Sequence, residues 1–203
     1  MHPNKAFAWQ DEPELYQFIE DTVFTHIFAN TADGPMVAHA PVTVKADKIS
    51  FHLAKPNRLV KHLDGQHVLL SMTGANSYHS ADWYAGTDSV PTWLYKAAEI
   101  EGKARQLDRD ELVAQVDALS AQMEARLPAK RPWTRAKMPE GKFESMLPFI
   151  VGFEVTVSAM RGTLKMNQHK GAADVDAMIA GYQSVGRADI MSLIKAAVAA
   201  RKG

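Results

Sequence analysis

The chain has 203 residues, of which 46% are hydrophobic and 23% charged, enough for one globular domain with a substantial core. Its 23 basic and 23 acidic residues give a formal net charge of zero, which counts against a nucleic-acid binder that works by neutralising phosphates. It contains no cysteine, which excludes disulfides and thiolate metal sites. No apolar run approaches the ~20 residues of a membrane span, and we expect a soluble, cytoplasmic protein.

The first half of the chain reads as one short helix followed by β-strands. A capping signal at Asp11 predicts a helix to about Asp21. Asp33-Gly34 lies between two β-rich runs and predicts a hairpin. Pro41 cannot donate a ladder hydrogen bond, which predicts an edge strand or a bulge. The strands predicted here, of which the last is continuously apolar and should be central, are 23–30, 36–44, 49–54 and 67–73.

A short basic segment follows the strand that ends near residue 54. Lys55-Pro56-Asn57 breaks the strand, and residues 58–63 predict a single helical turn. Backbone amides at the start of this turn, together with Arg58 and Lys61, could cradle a phosphate. The same spacing is also typical of a solvated basic helix face, so both interpretations stay open.

The stretch 78–105 is rich in aromatic residues, with two of the four tryptophans and three of the five tyrosines. Loop and turn formers interrupt these rings, which predicts a loop that binds a flat ligand or lies at a subunit interface. The alternative is an ordinary loop that packs its rings onto the core. A strand at about 99–105 should lead away from this loop.

The second half alternates helices with one strong strand. Asp108 and Glu111 form a capping box that predicts a helix to about Leu127. Residues 128–141 are irregular and basic, and Trp133 should anchor them. Gly152, within the strand 149–157, predicts a bulge or a close backbone approach. Two helices should close the chain, at 174–183 and 189–201. About six strands in hairpin order favour an antiparallel barrel over a doubly wound sheet.

The chemical motifs exclude more than they assign. The eight histidines lack metal-ligand spacing, so no metal site is expected, and no GxSxG elbow, GxGxxG motif or P-loop is present. His39 and His52 could bind one ligand from facing strands, although polar histidines on a strand face are more common.

Five short segments resemble the PaiB-type negative transcriptional regulators: SADWY, VPTW-x-Y, Gly102-Lys103-Ala104, IVGFEV and the downstream LKMNQ. The resemblance implies the FMN-binding split barrel, a mainly β fold in which a six-stranded antiparallel Greek-key barrel carries peripheral helices. It implies a single domain over 1–203, with the barrel at about 23–157 and a helical extension at about 158–203. It also implies a homodimer with FMN at the subunit interface.

The resemblance further implies which residues bind the flavin, and it favours the phosphate interpretation of the basic segment. It assigns no catalytic residue. The implied cofactor-binding residues are His39, Pro41, His52, Ala54, Asn57, Arg58, Lys61, Trp83, Trp93, Tyr95, Lys165 and Gln168.

Three functions of different classes follow as hypotheses. The favoured one is an FMN-binding dimer that acts as a negative regulator or flavin sensor rather than as an enzyme. The second is an FMN-dependent oxidoreductase similar to the pyridoxamine-phosphate oxidases, in which the flavin performs the chemistry. The third is direct DNA binding, which would depend on the basic segment 130–142 and which the zero net charge disfavours.

Overall fold

The computed structural model describes residues 2–202, which form seven β-strands and six α-helices. The strands are β1 Ala8–Trp9, β2 Phe24–Thr31, β3 Gly34–Lys45, β4 Lys48–Ala54, β5 His67–His79, β6 Thr92–Gln106 and β7 Ile150–Lys165. The helices are α1 Glu12–Thr22, α2 Val60–Leu63, α3 Arg109–Ala125, α4 Lys142–Met146, α5 Ala172–Ser184 and α6 Ala188–Lys202. No helix within 2–202 is long and apolar enough to cross a membrane.

The strands form one sheet in the order β1-β7-β4-β3-β2-β5-β6, and β7 also pairs with β6. Every strand pair with an assigned register is antiparallel. The predicted class, an antiparallel barrel with peripheral helices, is therefore confirmed. The strand beyond the predicted six is β1, whose two residues are too few to show a hydrophobic period.

Backbone contacts divide the chain into two compact units, which we call the barrel unit and the helical unit. The barrel unit comprises residues 12–72 and 99–160. The helical unit comprises, among the described residues, 2–11, 73–98 and 161–202. Strands β5, β6 and β7 each contribute residues to both units.

Alternation along the strands builds the core of the barrel unit. Strand β4 buries every second residue, and Phe51 on it packs against Phe153 on β7 with ring centroids 5.7 Å apart. Gly152 permits a close approach, because a Cβ there would lie 3.0 Å from the Cδ1 atoms of Leu107 and Leu112. Of the two predicted alternatives, a bulge or a close backbone approach, the second is found, since the Leu107 amide also donates to the Gly152 carbonyl at 2.9 Å.

Pro41 does not mark an edge strand, since β3 lies between β2 and β4. Residues 34–41 of β3 pair with β2, whereas residues 42–45 pair with β4. The Val42 amide donates to the Val23 carbonyl at 2.9 Å, so the next pair, Phe24 with Pro41, does not exchange hydrogen bonds. Pro41 thus occupies the point where β3 changes partners, and no ladder bond needs its missing N–H.

The predicted capping box is confirmed. The Asp108 side chain accepts from the Glu111 amide at 2.9 Å, and the Glu111 carboxylate accepts from the Asp108 amide at 2.9 Å. The expected anchoring by Trp133 is wrong, because its side chain stays 38% exposed. Polar contacts hold the segment instead: Glu124 accepts from Lys130 and from the Trp133 backbone amide.

The core of the helical unit packs α5 and α6 against the aromatic stretch. Strand β6 already begins at Thr92, so Trp93 and Tyr95 lie on a strand rather than in the predicted loop. Trp83 ends a single 3-10 turn that begins at Ala81. Leu94 and Tyr182 are both fully buried. Within the aromatic stretch, Tyr84 and Leu94 belong to this core and Trp83 packs against it, whereas Tyr78 and Trp93 are exposed.

Candidate functional site

A cavity of about 700 Å³ in the barrel unit opens beside the end of β4. One wall is the basic segment after β4, the second is the start of α3, and the third runs from α4 into β7. The residues that line it are Lys55, Pro56, Asn57, Arg58, Val60, Lys61, Gln106, Leu107, Asp108, Arg109, Leu112, Glu144, Leu147, Pro148, Ile150, Val151 and Gly152.

Positive charge predominates on this lining, with four cationic side chains against the carboxylates of Asp108 and Glu144. Lys55 and Arg58 are exposed, and neither side chain has a hydrogen bond or ion pair with any described residue. Such cations remain available for an anion. A phosphate is suitable, because guanidinium and ammonium groups form short charge-assisted hydrogen bonds with it.

Unlike Arg58, Lys61 has an ion-pair partner, Asp33. Its Nζ lies 3.1 Å from an Asp33 carboxylate oxygen, and the hydrogen bond from Lys61 lowers the pKa of Asp33. Both side chains are mostly exposed, and exposed pairs of this kind are weak. A dianionic phosphate could therefore draw Lys61 away from Asp33.

The backbone at the start of α2 contributes less than predicted. The Asn57 side-chain oxygen accepts from the Leu59 amide at 2.9 Å, and the Val60 amide donates to the Asn57 carbonyl at 3.0 Å. Those two amides are satisfied within the turn, so the anion-binding groups of this cavity are mainly side chains.

A group of rings lies on the outer face of the β2–β3 hairpin. We call Phe24, His26, Phe28, His39 and Pro41 the hairpin patch. The His39 ring stacks on Phe24 with centroids 6.4 Å apart and meets His26 edge-on at 4.8 Å. Phe24 is 57% exposed and Phe28 is 40% exposed. Exposed rings grouped in this way suit a flat aromatic ligand or a protein interface.

His52 belongs to a different environment from His39. Its Nδ1 lies 2.8 Å from the Gln115 side-chain oxygen, on the helix α3 that packs over β4. The other implied residue of this strand, Ala54, ends β4 and is exposed. His39 contacts the rings of β2, whereas His52 is held by α3.

In the helical unit, Trp83 and Trp93 have opposite surroundings. A Cβ on Gly181 would lie 2.5 Å from the Trp83 ring, so helix α5 packs directly on that indole. Trp93 is 52% exposed, and its Nε1 donates to the Asn76 side-chain oxygen at 3.1 Å. The half-buried Tyr95 follows two residues later on the same face of β6. Trp93 is therefore the tryptophan of this pair that can meet a ligand.

The two late residues implied by the resemblance also differ. The Lys165 Nζ donates to the Thr92 hydroxyl at 2.6 Å, and burial lowers the pKa of Lys165. The Gln168 amide is fully engaged with the backbone: it accepts from the Met166 amide and donates to the carbonyls of Leu164 and Ala6. These hydrogen bonds stabilise the loop that follows β7.

Sequence patterns did not single out Lys55, Arg109 or the fully buried His79. Lys55 stands directly before the predicted turn, so it could have been included with Arg58. Arg109 belongs to α3, and only the tertiary fold brings it to the same cavity. Among residues 2–202, no group of three or more histidine, aspartate or glutamate side chains could hold a metal ion.

Two solved structures share this fold. The FAD and heme binding protein of Mycobacterium smegmatis is 14% identical, with a TM-score of 0.59 over 78% of this chain and 73% of its own. The flavocytochrome Anf3 of Azotobacter vinelandii is 16% identical, with a TM-score of 0.57 over 81% of this chain and 72% of its own. Both neighbours support the flavin-binding split-barrel fold implied by the resemblance.

The sequence also has a curated relative in Bacillus subtilis, the protease synthase and sporulation protein PAI 2, or PaiB. The two are 27% identical over 179 residues, which cover 86% of this chain and 85% of the relative. The family model described as "Putative FMN-binding domain" matches residues 1–159. The chain therefore belongs to this family of FMN-binding proteins.

Proposed function

We propose that this protein is a cytoplasmic, homodimeric FMN-binding regulator that binds the ribityl phosphate of FMN in the cavity at the end of β4. This placement rests on two cations that line the cavity, Lys55 and Arg58, whose side chains have no partner among residues 2–202. Lys61 and Asn57 would complete the phosphate contacts, and Ala54 would flank them at the strand end.

Energetics favour this placement of the phosphate. A hydrogen bond to a charged group contributes about 1.5–3 kcal/mol, so two such contacts decide whether a flavin remains bound at cellular concentrations. Next to the cations, the same cavity has apolar walls from Leu107, Leu112 and Leu147, which can contact the carbon atoms of a ligand.

The isoalloxazine ring requires a flat aromatic or apolar surface, which the hairpin patch provides on the barrel unit. His39 and Pro41 are the patch residues implied by the resemblance. A second copy of the chain would cover the exposed Phe24 and Phe28, which would remove apolar area from water. In the helical unit, Trp93 and Tyr95 are proposed ring contacts, and Lys165 is a proposed polar contact.

The regulatory role rests on similarity. The name of the Bacillus relative connects that protein with protease synthesis and sporulation, and we extend a regulatory role to this chain. Direct DNA binding through residues 130–142 is less economical, because Lys130 pairs with Glu124 and Arg135 lies 3.2 Å from Asp117. A regulatory effect through another protein requires no such surface.

One observation favours a second candidate, an FMN-dependent oxidoreductase. The His26 and His39 rings meet at 4.8 Å on the exposed hairpin patch, where they could exchange protons with a substrate at the flavin. Bound FMN would supply the redox chemistry. Flavin reduction by a reduced nicotinamide, followed by turnover of a small substrate, would favour this candidate over a sensor.

The phosphate placement is tested by titrating FMN into flavin-free protein in a calorimeter. Arg58→Ala combined with Lys61→Ala removes two cations, and we expect FMN affinity to fall at least about 100-fold while the dimer persists. The Lys45→Gln variant is the control, since Lys45 is an exposed cation at the end of β3 that does not line the cavity. Equal affinity in the double variant and the control would place the phosphate elsewhere.

A further inference from the structure

A second cavity, of about 510 Å³, lies wholly within the helical unit. Its wall consists of the loop after β7 and the facing sides of α5 and α6. The lining combines apolar Ala172, Val175 and Val198 with polar Gln168, Lys170, Asp176 and Arg201. Its volume is typical of pockets for small molecules.

The cations at this cavity lack carboxylate partners within 2–202. Lys170 donates to the Ser89 hydroxyl at 2.8 Å, and Arg201 donates to the Gln168 carbonyl at 3.0 Å. Nearby Lys165 donates to the Thr92 hydroxyl. All three acceptors are neutral, so hydrogen bonding leaves the positive charges uncompensated.

Other cations of the protein pair with carboxylates rather than with neutral acceptors. Arg187 lies 2.8 Å from Asp189, and Arg105 binds both Glu111 and Glu154. Around the second cavity, three positive charges act in the same direction on one nearby imidazole, that of His169. Burial lowers the pKa of His169, and the electrostatic contributions that lower it further come from Lys170, Arg201 and Lys165. Asp176 is the acidic residue on the lining.

The loop that carries these groups is held rigidly. Asn167 is 3% exposed and adopts the left-handed backbone conformation, with φ of 53°. Its side chain donates to the Tyr84 hydroxyl at 2.6 Å, and the Lys170 Nζ lies 4.6 Å from the centroid of the same Tyr84 ring. The engaged Gln168 amide fixes the loop from the other side. Lys170 is therefore positioned before any ligand arrives, which lowers the entropic cost of binding.

We propose that the second cavity binds a small organic anion, a carboxylate or a phosphate monoester. The charged end would lie between Lys170 and Arg201, and the apolar body would pack against Val175 and Val198. No described residue lines both this cavity and the cavity proposed for the FMN phosphate. The anion would be a regulatory ligand or a substrate of a flavoprotein.

Calorimetric titration of FMN-loaded protein tests the proposal with acetate, butanoate, hexanoate and inorganic phosphate as probes. We expect hexanoate to bind more tightly than the shorter acids, by up to about four-fold per buried CH₂ group. Binding of phosphate but of no carboxylate would assign the site to phosphate monoesters. Absence of binding by all four probes would overturn the proposal.

Substitutions on the cavity lining test whether hexanoate binds at this cavity. Lys170→Gln and Arg201→Gln should each weaken hexanoate binding at least about 10-fold. Lys195→Gln is the matched control, because Lys195 is an exposed cation on α6 outside the lining. Val198→Glu adds a carboxylate to the cavity wall without removing a cation and should abolish binding. Equal effects of Lys195→Gln and Lys170→Gln would contradict the site.

The FMN affinity of the same variants separates the two sites. Lys170→Gln should leave the FMN dissociation constant unchanged within about two-fold. A parallel loss of FMN and hexanoate affinity would show that the flavin itself occupies this cavity, which would overturn the second site. If Arg58→Ala with Lys61→Ala leaves FMN affinity unchanged while hexanoate still binds, the FMN placement fails and the second site stands.

Discussion

His79 is an unusual residue, because its imidazole is completely buried without a polar partner among the described residues. Neither ring nitrogen has a hydrogen bond, and the side chain has 0% exposure. Tyr84, Tyr182 and Trp83 surround it at centroid distances of 4.6, 5.6 and 5.7 Å. Burial, with a smaller effect of Lys170, lowers the pKa of His79 to about 4. The ring is therefore neutral inside the folded protein.

This buried ring makes stability depend on pH in a defined direction. An unfolded histidine titrates near 6.5, so the unfolded state gains the proton first as the pH falls. The contribution is fully present above pH 6.5 and is lost progressively as the pH falls from about 6.5 to about 4. We expect the free energy of unfolding to decrease by about 2 kcal/mol between pH 7.5 and 5 on account of His79.

Urea unfolding of His79→Phe at the two pH values measures this contribution. Phenylalanine keeps an aromatic ring in the cluster and does not titrate. Between pH 7.5 and 5, the free energy of unfolding of the variant should therefore decrease by about 2 kcal/mol less than that of wild type. His67→Gln, at an exposed position of β5, is the control and should behave as wild type. The same acid sensitivity in His79→Phe and wild type would contradict the assignment.

At the scale of elements, the pairing of β6 with β7 depends on one glycine. A Cβ on Gly102 would overlap the carbonyl oxygen of Thr156 and lie 2.6 Å from a methyl carbon of Val155. Backbone atoms of a paired strand cannot move aside as a flexible side chain can. The strand contact that joins the two ends of the barrel therefore requires glycine at this position.

Gly102→Ala should lower the free energy of unfolding by about 3 kcal/mol or more, since the added methyl group has no room without separation of β6 from β7. Gly171→Ala is the matched control: no atom of the described residues lies within 4 Å of its Cβ position, and its φ of −69° suits alanine. Chemical denaturation of both variants checks the difference. Comparable stability of the two proteins would mean that the strands separate at little cost.

At the scale of the whole molecule, the hairpin patch is the surface at which we propose that two copies of the chain meet. Phe24→Glu places a charge among its rings and should convert a dimer into a monomer in light scattering after gel filtration. The control Val185→Glu changes another exposed apolar residue, after α5, and should remain dimeric. A dimeric Phe24→Glu protein would place the subunit interface on another surface.

Much of the fold could be predicted because its signals are local. The capping box of Asp108 and Glu111, the turn at Asp33-Gly34 and the alternation of β4 depend on residues close together in the chain. Each is found as predicted. Pro41 shows the limit of such rules: its effect depends on which strand lies beside it, and β3 changes partner at that residue.

The candidate site could be predicted less fully, because burial is decided by residues far apart in sequence. Trp83 and Trp93 belong to the same aromatic stretch, yet α5 packs on the first and leaves the second exposed. Gln168 was implied as a flavin contact, but its side-chain amide is engaged with the backbone of Ala6, Leu164 and Met166. Pattern alone could not separate these outcomes.

The sequence by itself determined the antiparallel barrel class, the positions of the capped helices and, through the motifs of the aromatic stretch and β7, the FMN-binding family. These properties depend on local propensity, on hydrophobic period and on residues shared with relatives. Only the tertiary structure decided that Arg109 joins Lys55 and Arg58 at one cavity and that Lys170 and Arg201 line another. It also decided that the His79 ring is buried with no hydrogen-bond partner in the part of the chain that the structure describes. Packing brings these groups together from separate elements, and desolvation then sets their charge and availability.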